Sequence, residues 1–374
     1  MLIEGPIRRR ALALLAGPLV VAFGVAAGPP AASAAASPKV VYTSTNSPAG
    51  NAVVAFDRAR DGSLRPAGSF PTGGTGTGGG LSNQGAVTLS DDGRALYVVN
   101  AGSDQITAFE VTPHGLRRTD VAGSGGHQPI SVTTHGRLVY VLNAASDQIT
   151  GFVTGRGGTL TALAGSTRPL SGSGTGPAEV RFDQGGDLLA VTERGTNKID
   201  TYTVDGDGRP SAPNVQASAG QTPFGFAFDP RDRLIVSEAF GGAPGASAVS
   251  SYRVDRFGAV TPISPSVPTG QTAACWIVVT GSGRFTYTTN TGSASISGYR
   301  IASDGSLSLL DSGVSATTGS SPTDLALSAG SRYLFALNSG SGTVGTYRVQ
   351  QDGGLVPGGV VGALPAGAAG LAAR

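Results

Sequence analysis

The 374-residue chain carries 26 Lys and Arg against 24 Asp and Glu, a formal charge of +2 for which Arg8, Arg9, Arg10 and Glu4 account. The remainder is therefore about neutral, and the basic surface that a nucleic-acid partner requires is not indicated. Cys275 is the sole cysteine, so no intrachain disulfide can form and burial and hydrogen bonding must hold the fold.

In chain order the first element is a leader. Arg8, Arg9 and Arg10 precede an apolar run from Ala11 to Ala27, and Ala32-Ser33-Ala34 and Ala34-Ala35-Ala36 are small-residue cleavage sites. This pattern is that of a secretory signal peptide over residues 1–36, cleaved near Ala34 or Ala36. Residues 37–374 would then be secreted to the extracellular space or cell envelope, with no membrane span. No lipobox cysteine is present. Arg8-Arg9 is compatible with twin-arginine export, but the Sec route is the expectation.

After the leader, a short apolar strand ending in Asn or Glu recurs seven times. The instances are Val41 to Asn46, Leu96 to Asn100, Val139 to Asn143, Leu189 to Glu193, Leu234 to Glu238, Thr286 to Asn290 and Leu334 to Asn338. A repeat of about 40–50 residues is the mark of a propeller or solenoid, because one unit cannot bury its own faces. Within a unit such as Gln128 to Phe152, period-two alternation between Gly, Asn, Asp and Ser turns predicts antiparallel strands.

The first repeat begins at Lys39 without an inner strand, and Ala363 to Ala373 resembles an inner strand with no second strand after it. Pairing the two ends in one blade gives a single all-β domain over residues 37–374. It is a seven-bladed β-propeller closed by its N- and C-terminal strands, with Ala366 to Ala373 alongside Val40 to Thr45, and it is expected to be a monomer. Closure protects the sheet edges. The Gly-rich connections Gly73 to Gly80 and Ser171 to Gly176 lack the Gly-Lys-Ser/Thr of a phosphate loop and read as inter-blade loops.

Antiparallel hairpins bring inner-strand starts and second-strand ends to one face. On it fall His127, Gln128, Glu179, Phe224, Cys275, Trp276, Thr323 and Asp324, with the recurring Asn and Glu slightly further out. The asparagines are read as structural, since Asn satisfies local backbone groups at a strand exit. Glu193 and Glu238 replace Asn in two consecutive blades. Paired carboxylates can transfer protons or hold Ca²⁺ or another divalent cation; alternatively each pairs with an arginine such as Arg194 or Arg233. His127 is the histidine at an inner-strand start, while Cys275 and Trp276 read as packing. No HExxH or G-x-S-x-G occurs, against a zinc protease or an α/β-hydrolase.

The strings YVVNAGSDQITAF and YVLNAASDQITGF resemble the YVTN-type repeat, and Lys39 to Ala373 as a whole resembles the seven-bladed lactonase-like propellers. That family includes 6-phosphogluconolactonases of the propeller type and fungal carboxymuconate cyclases. The resemblance implies a G-P-H-P-H segment where this chain has Gly126-His127-Gln128-Pro129-Ile130. It implies G-P-R-H where this chain has Gly176-Pro177-Ala178-Glu179, and Asn-Glu where it has Glu193-Arg194. The family's chemistry would have to be rebuilt here from His127, Glu193, Arg194 and Glu238.

Two functions follow as expectations. The first is a secreted lactone hydrolase or muconate-type cyclase acting on an unphosphorylated lactone or acid. The second is a non-catalytic propeller that binds a polymer, peptide or protein of the cell envelope.

Overall fold

The alternating segments form seven antiparallel sheets arranged as blades, and the fold is the expected all-β seven-bladed propeller. The computed structural model describes Lys39 to Arg374, with Met1 and Gly5; the expected leader otherwise lies outside the described residues. From inside outward, blade 2 contains Val87–Leu89, Ala95–Asn100, Gln105–Thr112 and Gly115–Gly123. The inner strands of blades 3 to 7 are Pro129–His135, Pro177–Phe182, Pro223–Phe228, Ala274–Val279 and Pro322–Leu327. Blades 3 and 6 complete their outer edges with two short strands each, Leu160–Ala162 with Arg168–Pro169 and Leu307–Leu309 with Ala316–Thr317.

Blade 1 closes the ring. Its inner strand is Ala369–Ala373, antiparallel to Val40–Ser44, with Val41 opposite Ala373 and Tyr42 opposite Ala372. Ser44 Oγ donates to Ala369 O at 2.8 Å. The strand starts three residues after the expected Ala366, because Ala368 N turns back to Pro365 O.

Second strands such as Leu188–Glu193 are buried throughout, since neighbouring blades cover both faces, and they accordingly read as continuous apolar runs. Outermost strands such as Leu64–Pro71 are largely exposed. The recurring tyrosines tie blade to blade: Tyr140 Oη donates to Gly208 O at 2.6 Å and Tyr287 Oη to Gly353 O at 2.8 Å. Gly353 has a φ of 97°, and a Cβ there would lie 2.5 Å from the Phe285 ring, so both backbone and space demand glycine.

The asparagines bind their own blade. Asn100, Asn143 and Asn290 donate through Nδ2 to Thr107, Thr150 and Ser297 Oγ at 2.8, 3.4 and 2.9 Å. These hydroxyls belong to the adjacent third strand, two residues beyond direct pairing. Each bond cross-links the top of a hairpin.

Candidate functional site

One position after the recurring Asn or Glu stand Ala101, Ala144, Arg194, Ala239, Thr291 and Ser339. In five blades the amide at this position is clamped by the carbonyl just before the inner strand of its own blade. The bonds are Ala144 N to Gln128 O, Arg194 N to Gly176 O, Ala239 N to Thr222 O, Thr291 N to Ala273 O and Ser339 N to Ser321 O, at 2.9 to 3.1 Å. All five acceptor residues have φ between 49° and 56°. The repeated turn sets these side chains around one mouth of the channel, where Arg194 is the charged member of an otherwise small ring.

A hollow of about 240 Å³ opens at this mouth. Phe224, Cys275, Trp276, Thr291, Thr323 and Ser339 wall it, and Leu81, Ser82 and Asn83 contribute from across the axis. Arg194 is not itself in this wall but stands against it: its guanidinium lies 5.2 Å from the centre of the Phe224 ring, and its Nε is buried with no acceptor among the described residues. Phe224 in turn packs on Trp276, with ring centroids 5.1 Å apart. Burial pushes the Cys275 thiol up to about 12 despite the nearby Arg194 charge, so it stays protonated at neutral pH.

The base of this hollow was not legible as a site. Residues Leu81 to Gly85 follow the Gly-rich connection and thread the channel. Gln84 Nε2 donates to Ile277 O at 2.7 Å, Gln84 Oε1 accepts from Ile277 N at 3.0 Å, and Gln84 N donates to Ala178 O at 3.1 Å. Trp276 Nε1 donates to Asn83 O at 2.6 Å, and Val132 N to Gly85 O at 2.8 Å. The segment therefore fastens to blades 3, 4 and 6 and divides the channel. Beyond it lies a second hollow of about 230 Å³ with Thr88, Arg181 and Asp324 in its wall. Glu179 Oε1 accepts from Arg181 Nε and its Oε2 from Phe226 N, both at 2.7 Å.

Glu193 and Glu238 lie on the expected face in adjacent blades, both fully buried. Neither lines the mouth hollow, and neither pairs with Arg194 or Arg233. Glu193 accepts from Ser171 N at 2.9 Å, Ser171 Oγ at 2.6 Å and Thr196 Oγ1. Glu238 accepts from Gly220 N at 2.8 Å, Ser250 Oγ at 2.5 Å and Ser266 Oγ at 2.6 Å. Burial raises the Glu238 pKa, and these donors offset only part of the rise. Carboxylates already occupied by donors do not fit a resident cation. Among the described residues no three His, Cys, Asp or Glu side chains cluster as metal ligands.

Sequence reasoning also missed Asp200, which stands in blade 4 where Thr107 and Thr150 stand in blades 2 and 3. It is fully buried, and its two oxygens find no donor from the described residues. Burial and the facing Glu193 push its pKa up to about 8. Burial alone would also raise Glu193, but hydrogen bonds from Asp200, Ser171 and Thr196 hold it below the usual carboxylate value. A raised Asp200 beside a lowered Glu193 is the pattern of two carboxyls that hold one proton between them.

His127 is exposed, with its Nδ1 2.8 Å from Asp104 Oδ2, while Asp104 Oδ1 accepts from Gln128 N at 2.7 Å. Asp147 makes the corresponding clasp one blade on, accepting from Gly174 N at 2.7 Å and Thr175 N at 3.0 Å. His127 thus sits in an inter-blade clasp at the rim, apart from the hollow beside Arg194 and from both glutamates.

Comparison with known proteins gives one family match, to the model described as Lactonase, 7-bladed beta-propeller, over residues 36–169, 156–256 and 246–359. No curated protein matches the sequence. Among solved structures, a putative 6-phosphogluconolactonase from Bacteroides fragilis is 19% identical at a TM-score of 0.70, covering 90% of this chain and 99% of its own. A protein from Lactobacillus plantarum, with the same identity and coverages, gives 0.74. A periplasmic gluconolactonase from Pseudomonas aeruginosa gives 0.68 at 17% identity, covering 88% and 97%. At these identities the structural likeness speaks for the fold.

Proposed function

Because the chain belongs to the seven-bladed β-propeller lactonase family, we propose that it binds a small unphosphorylated lactone, or the corresponding acid, beside Arg194 and opens the lactone there. The observation that carries this reading is the Arg194 guanidinium, stacked on Phe224 with a buried Nε that no protein group satisfies. When water adds to a lactone carbonyl, negative charge gathers on its oxygen. Cleavage of the ring C–O bond then leaves a carboxylate and a hydroxyl. A planar guanidinium can donate to the oxyanion and afterwards to both carboxylate oxygens. The hollow is below the roughly 300 Å³ at which drug-sized sites begin, which suits a single-ring ligand. One arginine supplies too little positive charge for a phosphate ester as well. In this reading proton transfer falls to water, since His127, Glu193 and Glu238 stand outside the hollow. In this reading the leader pattern exports the chain from the cytoplasm; among the described residues no helix is long and apolar enough to cross a membrane.

The absence of Asp, Glu and His from the hollow's described lining favours a second reading, a propeller that binds the acid without turning over the lactone. Glucono-δ-lactone hydrolysis and gluconate binding by calorimetry separate the two. Loss of an oxyanion donor costs about 10²-fold or more in kcat, so Arg194→Gln should lower lactonase activity by that order. Saturable gluconate binding without hydrolysis above the buffer rate would establish the second reading. Unchanged activity and binding in Arg194→Gln would remove Arg194 from either.

A further inference from the structure

Clefts also form at the periphery, between neighbouring blades, and their charge balance differs. At the junction of blades 2 and 3 a cleft of about 590 Å³ contains Arg94, Arg117, Arg137 and Arg156. It is partly neutralised, because Arg117 is ion-paired with Glu110 and Arg94 approaches Asp92 at 3.8 Å. At the junction of blades 7 and 1 a cleft of about 360 Å³ presents Lys39, Arg58, Arg60 and Arg332 with Ser328 and Tyr333, and no carboxylate side chain of the described residues lines it.

Four like charges around one hollow are unfavourable unless something of opposite sign enters. Burial lowers the Arg58 pKa, and the Arg332 charge adds a smaller push in the same direction. The Arg58 guanidinium is held 5.3 Å from the Tyr333 ring centre, Tyr333 Oη is fixed by donating to Arg60 O at 2.8 Å, and Arg58 Nε is buried without a partner. Arg58 Nη2 reaches Arg374 O only at 3.5 Å. A stacked, oriented arginine with donors in hand, flanked by two further arginines and a lysine, is a receptor for a tetrahedral dianion.

We propose that the cleft between blades 7 and 1 binds a small soluble molecule through its phosphate group. Arg58 and Arg332 would grip the phosphate oxygens, with Lys39 and Arg60 closing the charge. The volume exceeds that of phosphate alone, so an organic portion accompanies it. A lipid headgroup carries the same chemistry. However, none of the exposed large apolar side chains among the described residues lines this cleft, so a bilayer would find no anchor there. The site bridges the neighbouring blades 7 and 1, and occupancy should therefore stabilise their junction.

The test is calorimetric titration of the exported chain with glycerol 3-phosphate, with glycerol as control, and sedimentation with phosphatidylcholine vesicles containing phosphatidylglycerol. We expect 1:1 binding of glycerol 3-phosphate, no response to glycerol and no vesicle binding. Arg60 and Arg332 are both exposed, so the double variant Arg60→Gln/Arg332→Gln should fold and should weaken binding by roughly tenfold or more, as lost charged hydrogen bonds imply. Arg94→Gln/Arg117→Gln, in the other cleft, should leave it unchanged. Equal affinity in the wild type and the Arg60/Arg332 variant, or no saturable binding, would overturn the site. Vesicle binding without glycerol 3-phosphate binding would overturn the soluble ligand.

Discussion

Replacing Asp200 by threonine should stabilise the protein, and by an amount that grows with pH. In blades 2 and 3 the position holds Thr107 and Thr150, and blade 5 pairs Glu238 with the Ser250 hydroxyl. In blade 4 two carboxyls meet instead. Asp200 is raised from 3.8 to about 8, so between those values the folded chain keeps a proton that the unfolded chain has released. Stability from this group is complete below the unfolded value and is lost as pH rises through the folded one. Four pKa units at about 1.4 kcal/mol each set an upper limit on the order of 5 kcal/mol. The opposite shift of Glu193 returns part of this. At about 2.1 cal/mol/K per residue over some 340 residues, the limit corresponds to roughly 7 °C. Thermal unfolding of wild type and Asp200→Thr from pH 5 to pH 9 should show curves that lie close at pH 5 and separate towards pH 8. A difference independent of pH, or a variant less stable at pH 8, would refute the shared proton.

Three further outcomes follow from the fold. Gln84→Ala should lower stability by about 2–4 kcal/mol, because it strands the Ile277 amide and carbonyl in the channel; denaturant unfolding checks this. Arg233→Met should cost about 3–5 kcal/mol by leaving the fully buried Asp229 carboxylate without its charge partner, which denaturant unfolding would measure. Deleting Gly367 to Arg374 removes the inner strand of blade 1 and should abolish cooperative unfolding, whereas a frayed tail would leave the melting curve unchanged.

The blades were legible because period-two alternation and strand ends in Asn or Glu are local signals repeated seven times. Closure was legible from the unmatched strands at the two ends. Arg194 stood out only for its place beside Glu193 and opposite the family's Asn-Glu pair; that its neighbours in the ring are small became plain in the fold. What could not be read was whatever depends on distant partners. Nothing near Gln84 announces a bond to Ile277, 193 residues away, and the five residues Leu81 to Gly85 are too few to display a period. Glu193 and Glu238 were visible as departures from Asn. Their enclosure was not, because Ser171 and Ser266 come from segments whose placement the repeat pattern leaves open.

The Gln84 side chain also acts as a gauge. Its segment leaves blade 1 for blade 2, yet its amide must meet the Ile277 backbone of blade 6 while its own main chain meets Ala178 of blade 4. A side chain of fixed length spanning the bore is satisfied at one diameter only. Adding or losing a blade, the simplest evolutionary step open to a ring of repeats, would part these groups or crush them together. The crossbar thus penalises every circumference but the present one, and lineages that change blade number would have to surrender it first.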